Sequence, residues 1–181
     1  MNKHPKIKKI LFDEEFVNNK IKEVAKWVNQ TYKDSENLII VALLKGSIPF
    51  LAELIKHVNV DHEIDFITAS SYSGHHASSG SVKIIMDLAQ DIKGKDVLIV
   101  EDIIDSGITL DKIKKMLLNR EPKTFKIATL MDKPQNRKVN LKADCYGFAV
   151  PNEFLVGFGL DYQEKFRNLP YIGILDEKYI K

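Results

Sequence analysis

The chain has 181 residues, of which 44% are hydrophobic and 29% charged, and its formal net charge is +2. This composition is typical of a globular protein with one sizeable core, and the balance of charge argues against a nucleic-acid partner. A single cysteine, Cys145, excludes an intramolecular disulfide and a cysteine-based metal cluster. The sequence has neither a run of about 18 apolar residues, as a membrane span needs, nor the apolar segment of a secretory signal. We therefore expect a cytoplasmic protein without a membrane partner.

The N-terminal part of the chain predicts a helix, a strand and a second helix. Lysines at positions 3, 6, 8 and 9 predict a solvated tail at the N-terminus, ahead of the first helix. Apolar residues at helical spacing predict a helix over residues 13–32, and the continuous apolar run at residues 38–43 predicts a strand buried on both faces. Pro49 suits the start of a helix over residues 50–58. Residues 63–72 predict the next strand.

The alternation of strands and helices continues to residue 150. Small polar residues between 73 and 81 predict a mobile loop. The elements predicted after it are strands at 82–86, 96–100, 125–131 and 144–150 and a helix at 110–118. This order predicts an α/β fold with a mostly parallel, doubly wound sheet. We expect a single domain over residues 1–181, with a core at about 38–150 and a small hood lobe formed by residues 1–37 and 151–181.

The stretch VLIVEDIIDSGIT at residues 97–109 is the most informative part of the chain. Its apolar run ends in two carboxylates, and a third carboxylate and a Ser-Gly pair follow before a helix begins. Ligands of open α/β sheets bind where strands end, and backbone N–H groups at a helix N-terminus suit a phosphate. Three neighbouring carboxylates repel one another, so we expect a cation or a hydroxyl-rich ligand to compensate them. The alternative, an ordinary surface loop, leaves the acidic cluster unexplained.

This stretch resembles the phosphoribosyl-diphosphate motif of the type I phosphoribosyltransferases. Asp105 makes it similar to the 6-oxopurine branch of that family, the hypoxanthine-guanine phosphoribosyltransferases, because the adenine and orotate branches usually have Ala or Thr there. The resemblance implies that Glu101 and Asp102 hold the ribose hydroxyls, directly or through magnesium, and that Asp105 is the catalytic acid/base residue near N7 of the purine. It also implies that the 5′-phosphate is held by Ser106, Gly107, Ile108 and Thr109.

Two loops earlier in the chain acquire roles from the same resemblance. Lys45 and Gly46 are by themselves typical of a solvated turn, but they match the family's pyrophosphate loop, in which a peptide bond is often cis. Ser71 and Tyr72 match a flexible lid that excludes water during the reaction. His75 and His76 follow in the same loop, and because no third ligand accompanies them we assign them no metal site.

The C-terminal part matches the family's purine and pyrophosphate contacts. Lys133 corresponds to a donor to the purine 6-oxo group, which would reject adenine because a 6-amino group cannot accept that hydrogen bond. Phe154 corresponds to an aromatic ring stacked on the purine, and the backbone of Leu155 to a contact with the purine edge. Asp161 matches an acid near the purine and a second magnesium ion, and Arg167 matches a pyrophosphate contact.

The resemblance implies a purine salvage enzyme that transfers the 5-phosphoribosyl group of phosphoribosyl diphosphate to N9 of hypoxanthine, and also of guanine, giving IMP or GMP and pyrophosphate. Mg²⁺ is the implied cofactor, with Glu101, Asp102 and Asp161 as its binding residues. A homodimer or homotetramer is the implied assembly. The residues leave open whether guanine or xanthine is accepted, and whether Asp105 acts chiefly as a base or as a hydrogen-bond partner of N7.

Two functions of other classes remain as alternatives. A nucleotide-responsive regulatory protein would be expected to add a DNA-binding domain or a broad basic face, which the balanced charge does not indicate. A phosphoaspartate enzyme or receiver would use the acids at the strand end. That alternative does not explain the phosphate turn or the segments around Lys133 and Phe154.

Overall fold

The computed structural model describes residues 3–71 and 82–180. Its helices are α1 at Glu14–Thr31, α2 at Ile48–Leu54 and α3 at Ile108–Leu118. Its strands are β1 at Ile7–Phe12, β2 at Leu38–Leu44, β3 at His62–Ser71, β4 at Val82–Met86, β5 at Asp96–Ile104, β6 at Thr124–Asp132, β7 at Cys145–Ala149, β8 at Leu155–Val156 and β9 at Ile172–Leu175. Tyr72, His75 and His76 lie outside the described residues, together with the loop predicted at 73–81.

Six strands form the larger sheet, in the order β4-β3-β2-β5-β6-β7. All pairings are parallel except that of β3 with β4 at one edge. The central strand β2 consists of apolar residues that are buried almost throughout, as expected for a parallel strand covered on both faces. The mostly parallel sheet predicted from the sequence is confirmed.

Helices cover both faces of this sheet. Ile40 and Ala42 of β2 pack with α1 and α2 on one face, whereas Ile39 and Val41 pack with α3 on the other. Because successive side chains of a strand point to opposite faces, one apolar strand supplies both cores. The fold is therefore doubly wound. The first of these helices is capped by Asp13, whose side chain accepts a hydrogen bond from the backbone N–H of Phe16 at 2.8 Å.

A second, antiparallel sheet has the strand order β1-β9-β8. Residues 7–12 of the lysine-rich N-terminal segment belong to it, so this part is not the predicted tail, although lysines 3, 6, 8 and 9 are all exposed. Exposed Lys8 and Lys9 lie between buried Ile7 and half-buried Ile10, and both isoleucines pack in one apolar cluster. We use hood for this sheet together with residues 151–171, which contain β8 and lead to β9. The predicted hood also included α1, through the range 1–37, but α1 packs on the larger sheet instead.

Strand β5 extends past its apolar run. The predicted strand ended at residue 100, but pairing with β6 continues through Glu101 and Ile103 to Ile104. The acidic residues at 101 and 102 therefore lie on the strand itself, and the loop begins at Asp105. Among the described residues, no helix is long and apolar enough to cross a membrane.

Candidate active site

A cavity of about 290 Å³ lies where the hood meets the carboxyl end of the larger sheet. Asp102, Ile103 and Asp105 line it from the end of β5, and Lys133 lines it from the end of β6. The hood contributes the remaining wall, with Glu153, Phe154, Leu155, Leu160, Asp161 and Arg167. Residues from distant parts of the sequence thus meet at the sheet edge predicted to carry the site.

The acidic pair on β5 is largely withdrawn from water. Burial raises the pKa of Asp102 to about 6, although hydrogen bonding by the Ile103 N–H, at 2.7 Å from Oδ1, and the charge of Arg167 act against it. Burial, the charge of Asp102 and a hydrogen bond to Asp102 raise the pKa of Glu101 well above its ordinary value. Both carboxyl groups therefore favour protonation more than free carboxyls do, unless positive charge is brought to them.

The loop at Lys45 and Gly46 lies directly against the acidic pair. The peptide bond between Leu44 and Lys45 is cis, which confirms the expectation of a cis bond in this loop. A Cβ atom on Gly46 would lie 1.8 Å from Oδ2 of Asp102, and one on Gly159 would lie 2.0 Å from the carbonyl oxygen of Gly46. The loop, strand β5 and the hood therefore approach one another as closely as backbone allows, which explains glycine at both positions.

Two cations of the site, Lys45 and Arg167, pair with carboxylates of the hood. Nζ of Lys45 lies 2.8 Å from Oε2 of Glu164, and Arg167 lies 2.9 Å from Oδ1 of Asp161 and 3.2 Å from Oε1 of Glu164. Arg167 also donates to the carbonyl of Gly159 at 2.8 Å. A hydrogen bond from Lys45 and the charges of Arg167 and Lys45 lower the pKa of Glu164. Glu164 thus bridges Arg167, which was predicted to contact pyrophosphate, and the side chain of Lys45, whose backbone was predicted to bind it.

The turn after β5 has the form expected of a phosphate cradle. Gly107, which precedes α3, has a φ of 76°, a conformation that glycine adopts without a steric penalty. The Oγ of Ser106 accepts from the N–H of Ile108 at 3.5 Å. Thr109 follows in the first turn of α3, so residues 106–109 surround the positive end of the helix dipole.

The side of the cavity predicted to hold a purine combines a buried cation with an exposed ring. The side chain of Lys133 is 8% exposed, and Nζ donates to the carbonyl of Glu153 at 3.1 Å. Phe154 is 43% exposed, and its ring meets that of Tyr162 edge-on at a centroid distance of 5.6 Å. An ammonium beside an open aromatic face suits a planar ligand with an acceptor at its edge.

Some predicted groupings are not present in this arrangement. Among the described residues no three acidic, histidine or cysteine side chains converge to form a metal cage, and Asp161, predicted near the purine and a second magnesium ion, pairs with Arg167. Two further residues of the site are Glu153, whose carbonyl accepts from Lys133, and Glu164, which pairs with Lys45 and Arg167. Both bind through tertiary contacts, and no local motif marks them.

Two buried side-chain atoms lack a hydrogen-bond partner within the part of the chain that the structure describes, and both belong to this site. They are Oε2 of Glu101 and Nε of Arg167. A buried polar atom without a partner costs about 1–3 kcal/mol, so such atoms are rare in folded proteins. Arg167 lines the cavity and Glu101 precedes cavity-lining Asp102, so an unpaired donor and an unpaired acceptor at this site indicate a ligand that brings both negative and positive charge.

Comparison with known proteins agrees with this arrangement. Residues 9–163 match the family model of the phosphoribosyl transferase domain. A hypoxanthine-guanine phosphoribosyltransferase of Streptococcus thermophilus is 50% identical over 172 residues, which cover 95% of each chain. Among solved structures, a hypoxanthine phosphoribosyltransferase from Staphylococcus aureus superposes with a TM-score of 0.95 at 43% identity, covering 100% of this chain and 99% of the other. The enzyme from Trypanosoma cruzi in complex with its product IMP superposes with a TM-score of 0.92 at 37% identity, covering 99% and 100%.

The raised pKa of Glu101 predicts a pH-dependent gain in stability on removing its charge. Folding raises this pKa, so the ionised carboxyl destabilises the folded state at pH values above the folded pKa, and the penalty vanishes below about 4.3, the ordinary value for Glu. Without ligand and divalent cation, Glu101→Gln should raise the free energy of unfolding at pH 8 by about 1–3 kcal/mol. The gain should shrink towards pH 4, as measured by urea denaturation.

Glu36→Gln provides the matched control, because Glu36 is exposed and its replacement should change stability little at either pH. A Glu101→Gln variant that is no more stable than the wild type at pH 8 would contradict this interpretation of the acidic pair.

Proposed function

Because the chain belongs to the phosphoribosyltransferase family, we propose that it transfers the 5-phosphoribosyl group of phosphoribosyl diphosphate to N9 of hypoxanthine and of guanine, giving IMP or GMP and pyrophosphate. Relatives that are about half identical over most of their length are hypoxanthine or hypoxanthine-guanine phosphoribosyltransferases. The observation that carries the proposal is a pair of unpartnered buried atoms, Oε2 of Glu101, the residue before cavity-lining Asp102, and Nε of Arg167, which lines the cavity. The ribosyl donor offers hydroxyls and bound cation to the first atom and phosphate oxygens to the second.

In this proposal the substrates extend across the whole sheet edge. The 5′-phosphate lies on the turn at residues 106–109, and the ribose hydroxyls lie at Glu101 and Asp102. Pyrophosphate lies between the Lys45–Gly46 loop and Arg167, where its oxygens replace the carboxylate partners that these cations have without ligand. The purine lies between Lys133 and Phe154, with its edge at the backbone of Leu155.

Magnesium fits the residues of the acidic pair. Glu101 and Asp102 present carboxylate oxygens, the ligands that Mg²⁺ prefers, and one of those oxygens has no partner in the described part of the chain. Mg²⁺ is usually held by one or two carboxylates together with substrate phosphates, so a closed protein cage is not required. When bound, it would neutralise and orient the pyrophosphate leaving group. Asp161 is proposed to bind a second magnesium ion.

The protein's own contribution is to position the reactants and to accept a proton. Binding of the 5′-phosphate at α3 holds C1′ of the ribose against N9 of the purine. The bond from C1′ to N9 forms as the bond from C1′ to pyrophosphate breaks, and the carboxylates near the ribose stabilise positive charge that develops on the sugar. The proton lost from the purine passes to the carboxylate of Asp105.

The lid role of Ser71 and Tyr72 stays a prediction, because Tyr72 lies outside the described residues. The cytoplasmic location, the single-domain organisation and the assembly as a homodimer or homotetramer are also predictions.

Release of pyrophosphate from phosphoribosyl diphosphate tests the proposed activity. We expect release with hypoxanthine and guanine in the presence of Mg²⁺, loss of release when EDTA removes the metal, and little release with adenine. Xanthine in the same assay shows whether a 2-oxo group is tolerated. Absence of pyrophosphate release with every 6-oxopurine would refute the proposal.

Asp105→Asn tests the proton acceptor. The amide cannot take the purine proton, so kcat should fall by about 10²–10⁴-fold, the usual contribution of a general acid or base. The unfolding midpoint should stay close to that of the wild type because Asp105 is exposed. Asp111→Asn is the matched control, since Asp111 pairs with Lys115 on α3, away from the cavity. Near wild-type turnover of the Asp105 variant would rule out the role.

Lys133→Met tests the specificity for 6-oxopurines. The substitution removes the ammonium and keeps most of the side-chain volume. The ratio of kcat/KM for hypoxanthine to that for adenine should fall by about 10- to 100-fold, as expected for the loss of a hydrogen bond from a charged donor. Lys126→Met on the same strand serves as control, because Lys126 pairs with Asp144 at the surface. An unchanged ratio in the Lys133 variant would show that discrimination lies elsewhere.

A further inference from the structure

Three consecutive carbonyl groups, one at the end of β5 and two in the turn after it, accept hydrogen bonds from a single segment, residues 133–138. The carbonyl of Ile104 accepts from the N–H of Lys133 at 3.0 Å and from Nη2 of Arg137 at 3.1 Å. The carbonyl of Asp105 accepts from Nε of Arg137 at 3.0 Å, and the carbonyl of Ser106 accepts from the N–H of Lys138 at 2.9 Å. Two of these three carbonyls are held by the guanidinium of Arg137.

The direction of these carbonyls determines the direction of the neighbouring N–H groups. In a trans peptide unit the C=O and the N–H of the next residue point in opposite directions within one plane. Carbonyls of Ile104, Asp105 and Ser106 that point towards residues 133–138 therefore turn the N–H groups of Asp105, Ser106 and Gly107 the other way. Successive N–H groups on one side of a turn form an anion-binding concavity.

Arg137 is itself held firmly in its place. Its side chain is 14% exposed, Nη1 donates to the carbonyl of Leu141 at 2.5 Å, and Nη2 pairs with the carboxylate of Asp132. A Cβ atom on Gly107 would lie 3.1 Å from Cδ of Arg137, so the stem of the arginine packs against the turn as well. A planar guanidinium with several donors can make this set of contacts, whereas the ammonium of a lysine cannot.

We propose that Arg137 is a positioning residue for the 5′-phosphate, which holds the turn at residues 104–107 so that its N–H groups face the ligand. The inference rests on the proposed function, because the ligand of the turn is taken to be the 5′-phosphate of the ribosyl group. Arg137 does not touch the substrate in this account. Asp132 orients Arg137 and is the residue before Lys133, so one ion pair links the phosphate and purine ends of the site.

Comparing the binding of a nucleotide, IMP, with that of its nucleoside, inosine, distinguishes this role from a general effect on stability. Arg137→Met keeps the apolar stem and removes the guanidinium. The Kd of IMP, measured by calorimetry, should rise by about 10- to 100-fold, since small displacements of positioned groups cost on the order of 10²-fold. The Kd of inosine, which lacks the phosphate, should change less than about two-fold, because the N–H groups that Arg137 orients face the phosphate and only the side chain of Asp105 is proposed to reach the base from this turn. In kinetics, the KM of phosphoribosyl diphosphate should rise while that of hypoxanthine stays nearly constant.

Arg137→Lys and Lys142→Met complete the experiment. Arg137→Lys retains the positive charge beside Asp132 but lacks the planar set of donors of the guanidinium. It should therefore show the same selective loss of IMP affinity. If Arg137→Met does not fold, Arg137→Lys replaces it in the comparison of IMP with inosine. Lys142, which is exposed near Arg137, should be replaceable by Met without effect on either ligand. Free guanidinium added to Arg137→Met should restore part of the affinity for IMP.

The possible failures are distinguishable. If the wild type releases pyrophosphate and prefers IMP to inosine, but folded Arg137 variants retain that preference within about two-fold, the positioning role is wrong and the proposed function stands. Equal losses for IMP and inosine would also overturn the role, because they indicate a general disturbance of the site. A wild type without the transferase activity would instead overturn the proposed function, and this inference with it.

Discussion

The burial of two neighbouring carboxyl groups is the constraint on which the rest of the site depends. Glu101 and Asp102 lie at the carboxyl end of β5, where burial raises the pKa of both and the neighbouring Asp102 raises the pKa of Glu101 further. Placing them there lowers the stability of the ligand-free protein, because removing ionised groups from water is costly unless opposite charge accompanies them. Gly46 packs against Asp102 so closely that a side chain could not be added. The fold thus holds two carboxyl groups where a ligand's positive charge can meet them, and the ligand-free protein is less stable as a result.

The hood supplies acidic partners for the two cations on the other side of the site. Glu164 bridges Lys45 and Arg167, and Asp161 pairs with Arg167. Carboxylate and phosphate oxygens are similar acceptors for these cations, so the internal partners hold the cations near the places where pyrophosphate would need them. Ordering two long side chains before binding reduces the entropy lost when the ligand arrives. Under the proposed function these contacts would be given up when pyrophosphate binds, which would moderate its affinity.

The sequence predicted those features that depend on local pattern. The apolar run of β2 and the periodicity of α1 led to the correct sheet and helices, and the turn at residues 106–109 lies where a motif placed it. The end of β5 was wrong because pairing with β6, rather than hydrophobicity, decides where that strand stops. Strand β1 was missed because its two adjacent lysines interrupt the apolar residues and hide any strand pattern. Contacts between distant segments, such as those of Glu164 and Arg137, leave no local signal and required the structure.

The lysines of β1 also affect how the molecule meets other copies of itself. As an outer strand of the hood sheet, β1 presents backbone N–H and C=O groups at an edge to which another chain could add a strand. Lys8 and Lys9 place charge along this edge, and two irregularities in the register with β9 bend it away from an ideal template. Both devices disfavour edge-to-edge pairing. Residues that obscured the strand in the sequence thus protect the folded protein from aggregation.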